Sequence, residues 1–414
     1  MRAQRVCWHR LQRFAAAAWC TMTSPPVEAI LRSSFGGRLQ DWQEVGQKQV
    51  MGFSGAVVSR LVANCSDGKF HVVFKLNAKR LHSLPEDASE KDKFQASRVD
   101  ESYDNEAAFL REHCEALIAA GVRIPLVYHL NTASDFVILM EGMVPESGWD
   151  QIVEIPAGPQ HQAVLRWLAR FHAAFLPSEM GGGGRQLRVL GMHELGTHLA
   201  LAKRPPKEVD SIARLMDGFV ETFRDADPWF ASEDAKALGA RLQAAAVEVS
   251  EALHPANAGR ITMIHGDFKQ ANMFFRNSAD IAEVAVVDWQ WTGPGVGATD
   301  VIYLLAMASS DEIVDDLANQ VLRPYHAELS AALGGTEAYP MDEFVLEFKR
   351  ATVDFLRWLV AGRYPSFSPA TVTKSIEKVD INHGVWRRSI ARNVWLCKLA
   401  SQYLSEFETQ GMGM

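Results

Sequence analysis

The chain has 414 residues, 48% of them apolar and 22% charged, ordinary proportions for a globular protein. They exclude global disorder, a collagen-like repeat and a disulfide-stapled miniprotein, and the length suits two or three domains or one large two-lobed unit. With 42 basic and 50 acidic side chains the net charge is −8, so no nucleic-acid partner is expected. No run of about 18 apolar residues marks a membrane span. The five cysteines, Cys7, Cys20, Cys65, Cys114 and Cys397, form no Cys-x-x-Cys pair. That argues against zinc or a redox dithiol and fits a reducing compartment.

Residues 1–27 stand apart as a basic leader. They carry Arg2, Arg5, Arg10 and Arg13, an alanine run, and no acidic residue before Glu28. Such a leader reads as a transit peptide, as a frayed tail, or as an extension upstream of a start at Met22. The expected location is cytoplasmic, or mitochondrial or plastid if the leader is a transit peptide. Residues 41–76 alternate like strands, with an Asp67-Gly68 hairpin signal. Residues 79–100 are charged and read as loop. A helix is predicted over 105–120, with Asp104 as a candidate cap and Gly121 as the stop. Strands follow at 126–130 and 136–140.

After Gly142 the pattern turns helical, with segments at 161–176, 215–223, 232–253, 344–360 and 385–407. The glycine run 181–184 reads as loop, because no strand leads into it. The expected architecture is α+β in two lobes, with a β-rich N-lobe over 28–142 and a larger helical C-lobe over 143–414.

Chemistry concentrates between residues 261 and 305. Two apolar runs, 261–264 and 284–287, look like buried strands that each deliver an acidic residue to one edge. The first leads into His265-Gly266-Asp267-Phe268-Lys269-Gln270-Ala271-Asn272 and the second into Asp288-Trp289-Gln290. Phosphoryl transfer needs an acceptor hydroxyl held in line and a metal to neutralise the phosphoryl oxygens. An Asp orients the hydroxyl and takes its proton. An Asn amide oxygen and a second carboxylate are hard ligands for Mg²⁺. The Asp-x4-Asn spacing is that of the protein-kinase catalytic loop, H-R-D-L-x-x-x-N.

This set resembles the aminoglycoside phosphotransferase and choline-kinase-like group of small-molecule kinases, which share the protein-kinase fold. Gly266 stands where protein kinases carry Arg. His-Gly-Asp-Phe-Lys with Asp-Trp-Gln is most similar to the ecdysteroid-kinase-like branch. The resemblance implies a phosphotransferase that moves the γ-phosphate of ATP, with Mg²⁺, to a hydroxyl of a small organic acceptor. It implies Asp267 as base and Lys269 near the phosphate, unless that lysine is merely solvated. It implies Asn272 and Asp288 as metal ligands, with His265 and Asp300 as supports of the loop. In the N-lobe it implies a phosphate-covering loop at Gly52, Ser54 and Gly55, a phosphate lysine at Lys75, and Glu106 as its partner, in competition with Glu101 and Glu112. It implies a hinge in which the backbones of Glu141 and Met143 meet adenine. A pseudokinase and a protein kinase are the alternatives; against the latter stand Gly266 and the missing A-P-E signature. The aromatic stripe Phe344, Phe348, Phe355 and Trp358 is core or acceptor pocket. An aromatic-rich wall would suit a sterol, a macrolide or a quaternary ammonium. The oligomeric state is not legible.

Overall fold

The computed structural model describes residues 25–50, 56–77, 84, 89–133, 135–177, 186–187, 189–278, 281–335 and 338–410. Most of the basic leader, the predicted glycine loop with Gly52, Ser54 and Gly55, and the run 181–184 lie outside them.

The β-prone N-terminal runs build one antiparallel sheet. Helix α1 (Pro25–Phe35) precedes β1 (Leu39–Val50), β2 (Val57–Cys65) and β3 (Gly68–Asn77). Strands β4 (Val127–Asn131) and β5 (Phe136–Glu141) complete it in the order β1-β2-β3-β5-β4. The β2–β3 hairpin pairs Cys65 with Gly68. Its turn residues are therefore Ser66 and Asp67, one position before the predicted pair. Gly68 takes a φ of 143°, which residues with a Cβ avoid.

Alternation along the strands decides what each face meets. Phe74 and Leu76 pack with Val27, Leu31 and Phe35 of α1. Lys75, between them, points to the other face, where it meets helix α2 (Glu90–Ala119). This helix is 30 residues long and starts well before the predicted position. Residues 90–104 are mostly polar and so read as loop. Yet Ala96, Val99 and Tyr103 form a buried stripe at helical spacing, and a narrow stripe suffices when the opposite face is solvated. The Ser89 side chain accepts from the Asp92 amide and caps the helix. Asp104 is thus mid-helix and caps nothing. Gly121, at φ 79°, ends the helix as expected, with the Gly121 and Val122 amides returning to the carbonyls of Ile118 and Leu117.

Beyond Gly142 the chain is largely helical: α3 (Pro159–Ala173), α4 (Ile212–Thr222), α5 (Glu233–Ala252), α6 (Ala298–Met307), α7 (Asp311–Asp315), α8 (Arg323–Leu333), α9 (Met341–Gly362), α10 (Pro369–Glu377) and α11 (Ile390–Gln410). Two small antiparallel pairs sit among them, β6 (Thr262–Ile264) with β9 (Gly293–Gly295) and β7 (Met273–Ser278) with β8 (Ile281–Val286). The class is α+β, a β-rich N-terminal part followed by a larger helical part. Helix α6 escaped assignment from sequence because it is buried nearly all round, which erases the amphipathic signal. The stripe Phe344, Phe348, Phe355 and Trp358 is core, each side chain at most 1% exposed. Among the described residues no helix is long and apolar enough to cross a membrane, and Cys65, Cys114 and Cys397 are buried free thiols.

Helix α9 also buries Glu347, which accepts a hydrogen bond from the Tyr339 hydroxyl. Burial pushes its carboxyl up to about 8, more than Arg350 and Arg260 pull it down. A carboxyl whose folded value lies above its unfolded value of about 4.3 contributes fully at low pH. That contribution is lost as pH rises through the folded value. Between about pH 5 and pH 8 the melting temperature of the wild type should therefore fall by several degrees relative to Glu347→Gln, and above that it should fall no further. Parallel curves for the two proteins would rule out a buried titrating carboxyl.

Candidate active site

Strand β6 delivers the His265–Asn272 segment and β8 delivers Asp288, as the two apolar runs suggest. The segment is held by buried Asp300 in the first turn of α6. One carboxylate oxygen accepts the His265 amide at 2.6 Å and the other the Gly266 amide at 2.9 Å. His172 of α3 backs this carboxylate at 3.3 Å and meets the Tyr325 hydroxyl at 2.6 Å. The His265 ring joins the two strand ends: Nε2 lies 3.0 Å from the Val287 carbonyl, and Nδ1 accepts the Asp267 amide at 3.3 Å.

Asp267 is buried and clamped from both sides. The Tyr303 hydroxyl donates to Oδ1 at 2.6 Å and the Lys269 ammonium to Oδ2 at 2.6 Å. Burial alone would raise its carboxyl; Lys269, His198 and the Tyr303 hydroxyl outweigh it and hold the group down at about 2. Lys269 is thus an ion-pair partner of Asp267, not a freely solvated side chain. Asn272 donates its amide to the Asp267 carbonyl at 2.9 Å, and the Val287 amide bonds the Asn272 carbonyl at 3.0 Å. These contacts bring Asn272 and Asp288 together.

Asp288 has a φ of 72°, a region that Asp tolerates better than most residues and that recurs at functional sites. Its Oδ1 is buried without a hydrogen-bond partner; the nearest cation is the Lys75 ammonium at 3.6 Å. With the Asn272 amide nitrogen turned to Asp267, its amide oxygen is left for another partner. An orphaned carboxylate oxygen beside an amide oxygen fits Mg²⁺, which takes few protein ligands and completes its shell with phosphates and water. Among the described residues no group of three or more His, Cys, Asp or Glu could hold a metal unaided.

The competition for Lys75 is resolved by geometry: its ammonium pairs with Glu106 at 2.8 Å, whereas Glu101 and Glu112 are exposed. Burial pushes the Lys75 ammonium down, but Glu106, Asp288 and Tyr103 outweigh it and keep it charged. Glu106 also accepts the Trp289 amide at 3.3 Å. Glu141 ends β5; its amide is committed to the Leu126 carbonyl at 2.8 Å, so any contact to a base falls to its carbonyl. Its carboxylate binds Arg123. Met143 packs on Trp149 and Ala285.

Some of the constellation escaped the sequence. Asn105, beside Glu106 on α2, donates to the carbonyls of Trp289, Gln290 and Thr292 at 3.0–3.2 Å and accepts the His193 amide at 2.6 Å. The segment around Thr197 crosses directly over Gly266. Its amide bonds the Trp291 carbonyl at 2.8 Å and its hydroxyl the Gly266 carbonyl at 3.0 Å. Thr197 pays for this crossing with a φ of 63°, unusual for a β-branched residue. Behind Asp288, Trp289 stacks on Phe109 of α2 with ring centroids 4.2 Å apart.

The profile of the ecdysteroid kinase-like family matches residues 119–336, more than half of the chain. The chain belongs to that family. This places it among the small-molecule kinases, the branch its catalytic motif resembles. Similar solved structures include a microcompartment-associated aminopropanol kinase, 15% identical, with 92% of this chain and 98% of that chain covered at a TM-score of 0.46. A GDP complex of an aminoglycoside 2'-phosphotransferase-IIIa mutant is 11% identical, covering 94% of this chain and 98% of that one at 0.41. A glucosamine kinase in complex with glucosamine, ADP and inorganic phosphate is 14% identical, covering 93% and 100% at 0.32. No curated protein matches significantly.

Gly266 explains why this kinase carries glycine in its catalytic motif. Its φ is 78°, and a Cβ there would stand 2.3 Å from the Trp291 carbonyl oxygen and 2.6 Å from the Thr197 nitrogen. Gly266→Ala should therefore lower the melting temperature by several degrees and cut ADP release at least tenfold. Gly259→Ala, where a Cβ meets nothing within 4 Å, serves as the control. A Gly266→Ala protein indistinguishable from that control would refute the steric account.

Proposed function

We propose that this small-molecule kinase uses ATP and Mg²⁺ and transfers the γ-phosphoryl group to a hydroxyl of an organic acceptor. The bond from the γ-phosphorus to the ADP oxygen breaks, a bond to the acceptor oxygen forms, and the hydroxyl proton leaves by way of Asp267. The observation that carries the reading is the convergence of Lys75–Glu106, Asp288, Asn272 and Asp267 on one edge, delivered by four separate segments of chain.

Asp267 is held ionised by Lys269 and Tyr303, so it accepts a hydrogen bond from the acceptor hydroxyl at any physiological pH. A carboxylate so stabilised is a weak base. It orients the oxygen first and takes the proton late, as a loose transition state allows. Lys75, fixed by Glu106, binds phosphate oxygens; Lys269, beside Asp267, stands by the group in transit. Asn272 and Asp288 would hold Mg²⁺, which when bound neutralises charge on the phosphate oxygens. Gly52, Ser54 and Gly55 would cover the phosphates with backbone amides, and the Glu141 carbonyl and Met143 amide would meet adenine.

Asp267→Asn keeps the shape and removes the charge. It should lower turnover, read as ADP release over a panel of small alcohols, by about a hundredfold or more. The thermal shift produced by Mg·ATP should persist. Full activity in this variant would remove Asp267 from the chemistry. A Mg·ATP shift in the wild type with no transfer to any alcohol would favour a pseudokinase instead.

A further inference from the structure

Beside Asp267 and Tyr303 lies a wall that the transfer chemistry does not use. His198 stands at its centre, its ring 5.4 Å from Trp291, 5.4 Å from Trp358 and 6.2 Å from Tyr303, the hydroxyl donor to Asp267. Burial pushes the His198 imidazole down to about 3, so it is neutral. Its Nδ1 is buried with no hydrogen-bond partner.

Cations occupy the ring faces of this wall. The Arg98 guanidinium lies 5.3 Å and the Lys203 ammonium 5.9 Å from the Trp291 ring centroid. The Arg363 guanidinium lies 5.0 Å from that of Trp358. Arg363 acts electrostatically on Lys269, Tyr303 and His198 as well, so it belongs to the same space. Arg204 pairs with Glu208 at 2.7 Å, while the exposed carboxylate of Glu101 acts on Arg98 and Lys203 only through space. The Glu208 carboxylate is already shared with buried Arg357 at 2.9 Å. Among the described residues Arg98, Lys203 and Arg363 form no ion pair within 4.0 Å; the Lys203 ammonium donates instead to the Leu195 carbonyl.

The chain carries 50 acidic side chains and a net charge of −8, yet among the described residues it sets none in contact with these three cations, and against Arg98 and Lys203 only the exposed Glu101 acts through space. Like charges gathered beside the half-buried Trp291 and over the buried Trp358 repel one another unless something negative joins them. The strain is visible at Lys203: burial and Arg98 bring its ammonium down to about 7. The aromatic faces that a quaternary ammonium would seek are already covered by the protein's own cations.

Building on the kinase reading, we propose that the acceptor carries an anionic group, a carboxylate, sulfate or phosphate, in addition to the hydroxyl, and that Arg98, Lys203 and Arg363 receive it. Arg98 and Arg363 offer forked donors suited to such oxygens. An amino alcohol or a polycationic aminoglycoside meets repulsion at this wall, and a neutral sterol leaves it uncompensated.

The test is a panel of small alcohols, each in three matched forms, acid, amide and amine. An example is 4-(hydroxymethyl)benzoate with its benzamide and benzylamine counterparts. Binding is measured by calorimetry without nucleotide, so loss of Mg·ATP binding, which would sink the kinase reading, leaves this measurement intact. The wild type should bind acids about tenfold more tightly than the paired amides, and amines least, as one charge-assisted contact allows. The double variant Arg98→Gln, Lys203→Gln should bring the acid-to-amide ratio close to one, and Arg98→Lys should restore part of it. The Mg·ATP thermal shift and the melting temperature report that both variants are folded. No acid bound more tightly than its amide, amines preferred, or an equal loss in all three forms would each overturn the proposal.

Discussion

Asp300 is a carboxylate with no exposure to solvent, and removing such a group from water costs several kcal/mol unless hydrogen bonds replace the lost hydration. Here they do: the amides of His265 and Gly266 and the ring of His172 all turn to it. The group also lies in the first turn of α6, where the helix dipole favours negative charge. The same bonds that satisfy Asp300 fix the peptide planes on either side of His265, and with the Asp267 amide held by the His265 ring they set the direction in which Asp267 leaves the strand. The catalytic segment is placed by a charge that cannot afford to lose its partners.

A second constraint runs through α2. Glu106 binds Lys75 of the sheet and the Trp289 amide, Asn105 gathers the carbonyls of residues 289, 290 and 292, and Phe109 stacks on Trp289. Arg98, two turns earlier on the same helix, stands over Trp291. One rod therefore touches Lys75, the residues after Asp288 and the aromatic wall around His198. Any displacement of α2 is felt at all three.

What was legible in the sequence follows from distance along the chain. Asp267, Lys269 and Asn272 lie on one short loop, so their spacing alone suggests the kinase-like motif. The strands before them are continuous apolar runs, which buried β-structure requires. Lys75 was legible as a strand lysine and Glu106 as its leading partner, but excluding Glu101 and Glu112 requires the phase of a helix whose true start, Ser89 and Glu90, is hidden in polar sequence. Tyr303 reaches Asp267 across 36 residues and His172 meets Asp300 and Tyr325 across more than a hundred, and nothing local announces them. Thr197 and His198 sit in a loop without periodicity. Their importance rests on which backbone they cross.

That crossing couples two distant parts of the chain. No side chain of any kind fits at Gly266 while residues 195–197 lie across the loop and residue 266 keeps a left-handed φ. A side chain at residue 266 therefore requires that the overlying strap move first, so in this chain the glycine and the strap are one structural unit.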